Sequence, residues 1–124
     1  MTRSRAAVLA VLDAASEPLS VSSVKDTLDC PCDQATVYRA LHWLEEEGMA
    51  ESFVLSCQEH GTERYYVSAA SPHRHWFHCS SCHRFTDLGA CCMGNLVEDL
   101  ERKRGIRIER HILYFTGTCE ACRA

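Results

Sequence analysis

Apolar residues recur at helical spacing from Arg3 to Ala15, where Val8, Leu9, Leu12 and Ala15 share one side, and the pattern stops at Glu17 and Pro18. Ser20 follows as a natural N-cap, with Val21, Val24 and Leu28 marking one face of a short second helix. The turn DCPC, 29–32, leads to Asp33, placed to cap a third helix over DQATVYRALHWLEEEG. At 100° per residue, Val37, Ala40, Leu41 and Leu44 fall on one stripe, and Ala35, Tyr38, Arg39 and His42 gather opposite. After Gly48, MAESFVL and RYYV are β-prone, and CQEHGTE between them reads as a turn. Three helices and a hairpin are the order of a winged helix, whose third helix presents its first turns to DNA bases. A three-helix domain with an exposed tyrosine fits the same periodicity.

SAASP, 68–72, has no strong period and reads as a linker. Beyond it, HWFHC and RFTDL read as short strands flanking CSSCH. Met93, Leu96, Val97 and Leu100 stripe a helix that closes with Arg102, Lys103, Arg104 and Gly105, cations and then glycine as helix C-termini prefer. IRIERHILYF, 106–115, alternates and is β-branched, so it reads as a strand. The pattern predicts an α+β chain: a first domain over 1–68, winged helix or plain three-helix, a hinge at 69–72, and a small α/β domain over 73–124.

Length and cysteine content sharpen this. At 124 residues, two domains would each have a thin core needing reinforcement, and nine cysteines offer it. Met1 leads into polar TRSR, and no apolar run approaches the roughly 18–20 residues of a membrane span, so a cytoplasmic protein with no membrane partner is expected. A reducing compartment favours metal binding or thiol chemistry over disulfides. The net charge of −4 is uneven: residues 1–70 carry five Lys and Arg against eleven Asp and Glu, and residues 71–124 carry eight against six. That balance opposes nonspecific DNA affinity in the first domain.

Cys79-x-x-Cys82 and Cys119-x-x-Cys122 are matched pairs whose spacing lets both thiolates of each turn toward one ion, the pattern of a structural four-cysteine Zn²⁺ site. A redox dithiol is the other reading. HRHWFHCSSC, 73–82, adds three histidines; with His111 and Asp87 these are ligands for a second, exchangeable ion of the Zn²⁺ or Fe²⁺ type. Taken singly, each histidine is more often a solvated surface residue; their density in one decapeptide shifts the reading toward binding. Catalytic equipment is not evident: His73-Arg74-His75 stands where a zinc deaminase needs His-x-Glu, and no metalloprotease helix, nucleophile elbow or phosphate loop occurs.

ATVYRAL at 35–41, Thr2-x-x-Arg5, the two Cys-x-x-Cys pairs and GIRIERHILYFTGTCEAC at 105–122 together resemble the ferric uptake regulator family of bacterial metal-sensing repressors, over nearly the whole chain. The resemblance implies an N-terminal winged helix and a C-terminal α/β dimerisation domain with the four-cysteine zinc. It implies a homodimer on a palindromic operator in double-stranded DNA, with Tyr38 and Arg39 as DNA contacts and Thr36 and Arg5 nearby. It also implies a sensory divalent metal near the hinge, drawn from Glu51, His73, His75, Asp87 and His111.

Several positions depart from the family pattern. Its paired histidines usually stand five and three residues before the first cysteine, whereas His73 and His75 stand six and four before Cys79, as though Trp76 were inserted. On a strand that shift turns both rings over unless a bulge absorbs it, which would leave His78 as a substitute. The family's acidic ligand on the C-terminal helix falls near Gly94. Cys30 and Cys32 precede a helix N-terminus, where a thiol switch could sit; Cys57 and His60 lie in the wing; adjacent Cys91 and Cys92 are poorly placed to chelate together. The alternative function is a peroxide or thiol redox regulator, or a zinc-stabilised dimeric interaction module without a sensory metal.

Overall fold

The computed structural model describes residues 1–29, 31–70 and 73–123. Cys30 and two residues of the expected hinge, Ser71 and Pro72, lie outside the described residues. The chain divides into two compact units, 1–71 and 72–124. No helix among the described residues is long and apolar enough to cross a membrane.

In the first unit, α1 (Arg3–Ala14), α2 (Val21–Thr27) and α3 (Gln34–Glu46) precede a hairpin of β1 (Ala50–Cys57) and β2 (Gly61–Ser68). Each helix begins at a short polar side chain: Thr2 accepts from the Arg5 N–H at 3.1 Å, Ser20 from Ser23 at 3.2 Å, and Asp33 from Thr36 at 2.8 Å. The stripe expected on α3 is the buried one. Val37, Ala40, Leu41 and Leu44 pack with Val8, Leu12, Val24, Ala50 and Tyr66 into a single core. The wing is antiparallel from Ala50 opposite Ser68 to Cys57 opposite Gly61. It is tied to α3 through buried Ser52, which donates to Glu45 at 2.6 Å and accepts from Arg64 at 2.9 Å.

The second unit contains β3 (Arg74–Cys79), β4 (Phe85–Ala90), α4 (Gly94–Arg104), β5 (Tyr114–Gly117) and the short α5 (Glu120–Arg123). β3 is the central strand, antiparallel to β4 and parallel to β5. Helix α4 ends as expected, with Gly105 left-handed at φ 64° after three cations.

The strand expected over 106–115 is a correction. Only Tyr114–Gly117 is strand, because only there does the chain form a ladder with β3; residues 106–113 have no ladder partner among the described residues. A bulge does lie beside Trp76, on the neighbouring strand: between the pairs Arg74–Ala90 and Trp76–Asp87, β3 advances two residues and β4 three, so the extra residue belongs to β4.

Candidate functional site

The parallel pairing of β3 and β5 sets the metal chemistry of the second unit. Trp76 lies beside Tyr114 and Cys79 beside Gly117, a constant offset of 38 residues. The strands therefore finish together, and Cys119 arrives two residues past Gly117 next to Cys79. Just before the paired stretch, the Leu113 carbonyl meets the His75 ring and the His111 ring meets those of His73 and His75. One pairing thus gathers ligands at both of its ends.

At the C-terminal end, the sulfurs of Cys79, Cys82, Cys119 and Cys122 all lie within 4.8 Å of one another. Cys82 and Cys119 are 3.8 Å apart. A tetrahedron of Zn–S bonds at about 2.3 Å has S···S edges of about 3.8 Å, so the cradle fits Zn²⁺. Buried Cys79 accepts from the backbone N–H groups of Cys82 and Cys119, each at 3.4 Å, and these donors pull its thiol down to about 5. Cys122 is pushed the other way, up to about 12, its proton held by Cys119 and Cys79. A dication at the centre supplies the charge that lets all four ionise together.

At the N-terminal end, His73, His75, Cys91 and His111 form the second group, likewise within 4.8 Å. The Nε2 atom of His111 lies 3.1 Å from Nε2 of His73 and 3.1 Å from Nε2 of His75, and Cys91 Sγ lies 3.2 Å from His75 Nε2 and 3.3 Å from His111 Nε2. Around a tetrahedral Zn²⁺ the N···N edges are about 3.3 Å and the N···S edges about 3.6 Å, so these atoms stand close to the positions an ion requires. His75 donates from Nδ1 to the Leu113 carbonyl at 2.9 Å, which leaves Nε2 as the bare, ion-facing nitrogen. Burial, and then the neighbouring His73 and His75, hold His111 below the usual imidazole range and so toward the neutral, ligating form.

Of the sequence candidates, His73, His75 and His111 come together here. Asp87 stands apart: its carboxylate pairs with Arg74 and accepts from the Gly89 N–H at 2.7 Å. Glu51 stands on β1 of the first unit. His78 is buried with its ring 4.9 Å from that of Phe85, on the opposite face of β3 from His73 and His75. The residue that sequence reasoning missed is Cys91. It could offer a fourth ligand, three positions before Gly94, near which the family's acidic ligand position falls.

In the first unit, the exposed face of α3 carries Tyr38, Arg39 and His42. Tyr38 stacks on His42 with centroids 6.2 Å apart, and Arg39 reaches the Thr36 hydroxyl at 3.3 Å. The Arg5 guanidinium lies over the Trp43 ring at 4.3 Å, which fixes a cation beside this helix. Cys32 and Cys57 are half-buried, and Cys92 is exposed.

The model of the ferric uptake regulator family matches residues 1–116. The chain belongs to the ferric uptake regulator family. Its members are metal-responsive transcription regulators, not enzymes. Among solved structures, the Helicobacter pylori ferric uptake regulator, described as having three functional metal-binding sites, is 23% identical with a TM-score of 0.76, covering 100% of this chain and 82% of that one. The Vibrio cholerae ferric uptake regulator is 20% identical with a TM-score of 0.76, covering 96% and 91%. A zinc uptake regulator complexed with zinc and DNA is 23% identical with a TM-score of 0.65, covering 98% and 82%. At these identities the likeness is one of fold.

Proposed function

We propose that the chain is a metal-dependent, DNA-binding transcriptional repressor of metal-homeostasis genes, governing zinc or iron uptake. Zn²⁺ at the four cysteines is structural, and a second divalent ion at His73, His75, Cys91 and His111 is the signal. The observation that carries this reading is the convergence of three imidazoles and a thiol at tetrahedral spacing, separate from the four-cysteine cradle. Four ligands complete that set without Glu51 or Asp87. A sulfur among imidazoles favours Zn²⁺ over Fe²⁺ as the sensed ion.

Arg39 and Tyr38, with Thr36, are the DNA contacts of this reading, exposed or half-exposed on the first turns of α3, and half-exposed Arg5 lies against the same helix at Trp43. The active species is a homodimer on a palindromic operator, in the cytoplasm. Support for the dimer comes from the second unit, where Leu88, Leu96, Leu100, Ile106, Ile112 and Phe115 are all exposed. The alternating segment 106–113, without a ladder partner among the described residues, suits pairing with a second copy. Two half-sites also offset the acidic balance of the first unit, because only the groove-facing surface need be positive.

The coupling is a linkage. An ion bound more tightly by the DNA-binding form shifts the population toward it, and a typical coupling of about 1–3 kcal/mol changes operator affinity roughly 5–150-fold. The test is anisotropy titration of a duplex selected from a randomised palindromic pool, with the second site stripped and refilled. Affinity at least about tenfold higher after refilling is expected; no sequence-selective binding in either state would refute the reading.

A further inference from the structure

We propose that Arg74, Asp87 and Gly89 are positioning residues for the second metal site, forming a clamp that turns Cys91 toward the histidines. This rests on reading His73, His75, Cys91 and His111 as a metal site.

From His78 opposite Phe85 to Trp76 opposite Asp87, β3 and β4 pair regularly. Carried onward unchanged, that register would set His73 opposite Ala90 and leave Cys91 one residue out of step with the histidines. In an antiparallel pair, opposite residues share a face and a one-residue slip moves a side chain to the other face. Instead Arg74 lies opposite Ala90, and the Cys91 N–H donates to the His73 carbonyl at 3.0 Å. The extra residue of β4 thus brings Cys91 onto the His73 face, where its sulfur reaches His75 and His111.

Three residues hold that bulge. Gly89 adopts φ +87°, a conformation that L side chains rarely take. Asp87 spans the bulge, with one carboxylate oxygen on the Gly89 N–H at 2.7 Å and the other on the Arg74 guanidinium across the strand. Asp87 therefore acts on the ion through Cys91, and its carboxylate is outside the ligand group.

The test uses full-length protein with zinc in the four-cysteine site, titrated anaerobically with Co²⁺ while the thiolate-to-cobalt absorption is recorded. Asp87→Asn removes the charge that spans the bulge. Gly89→Ala leaves every polar group in place and adds a Cβ that meets nothing within 4 Å, so it acts through the backbone alone. Both variants are expected to keep the tightly held zinc, to bind Co²⁺ about 10–100-fold more weakly, and to show less thiolate absorption per bound ion. Asp87→Glu, which keeps the charge, is expected to recover most of the affinity. Unchanged affinity and absorption in both variants would overturn the proposal while the site reading stands. Weak binding by Asp87→Asn with full thiolate absorption would overturn it by making Asp87 a ligand. No thiolate-ligated second Co²⁺ in the unsubstituted protein would overturn the site reading itself, and the proposal with it.

Discussion

His75 hydrogen-bonds the Leu113 carbonyl through Nδ1 at 2.9 Å and faces His111 through Nε2 at 3.1 Å, so one backbone acceptor both orients the ring and selects its tautomer. Replacing His75 or His111 by alanine should weaken the exchangeable ion at least about 100-fold while leaving the four-cysteine ion in place. Chelator competition reads both sites in one experiment. Equal loss of both ions would indicate collapse of the second unit rather than loss of a ligand.

Cys79→Ser should be far more damaging. Cys79 is fully buried and accepts two backbone N–H groups, and a structural Zn²⁺ contributes on the order of 10 kcal/mol of folding free energy in small domains. The variant should purify without the resistant zinc and lose the cooperative unfolding of residues 72–124, measured by zinc content and circular dichroism. A folded, zinc-loaded Cys79→Ser protein would contradict the structural role.

Arg39→Ala should leave the fold intact, because the side chain is exposed and its recorded partner is the Thr36 hydroxyl on the same helix. Operator affinity should fall about 10–100-fold, the value of one well-placed arginine contact. Comparison with a scrambled duplex separates lost specificity from lost charge.

Asp33 provides a pH prediction for the first unit. Hydrogen bonds from the Thr36 side chain, and then from its backbone N–H, hold the Asp33 carboxyl below its ordinary value of 3.8. Because the folded value is the lower one, this stabilisation is complete above the unfolded value and disappears as pH falls through the folded one. Asp33→Ala should lower Tm by a few degrees near neutrality, and the difference should close in thermal melts once acid protonates the Asp33 carboxyl in the folded protein.

Much of this could be read along the chain because it is local. The α3 stripe follows from helical period, its start from Asp33, and the four-cysteine site from two fixed gaps. Cys91 was hidden because its role depends on register. Its neighbour Cys92 made the pair look idle, and the strand appeared to end at Leu88. The available signal was Asp87-x-Gly89, an acceptor two residues before a glycine at a strand end, which marks a bulge. Residues 106–113 misled for the opposite reason: their alternation is real, but a strand requires a partner, and none pairs with them among the described residues.

The central claim is that one subunit holds two ions of different character. Elemental mass spectrometry on anaerobically purified protein, before and after mild chelation and zinc refilling, tests it most directly. The account predicts one zinc per subunit that resists chelation and a second that leaves and returns, the second absent from a Cys91→Ala variant. A single resistant zinc, with nothing taken up on refilling, would contradict it.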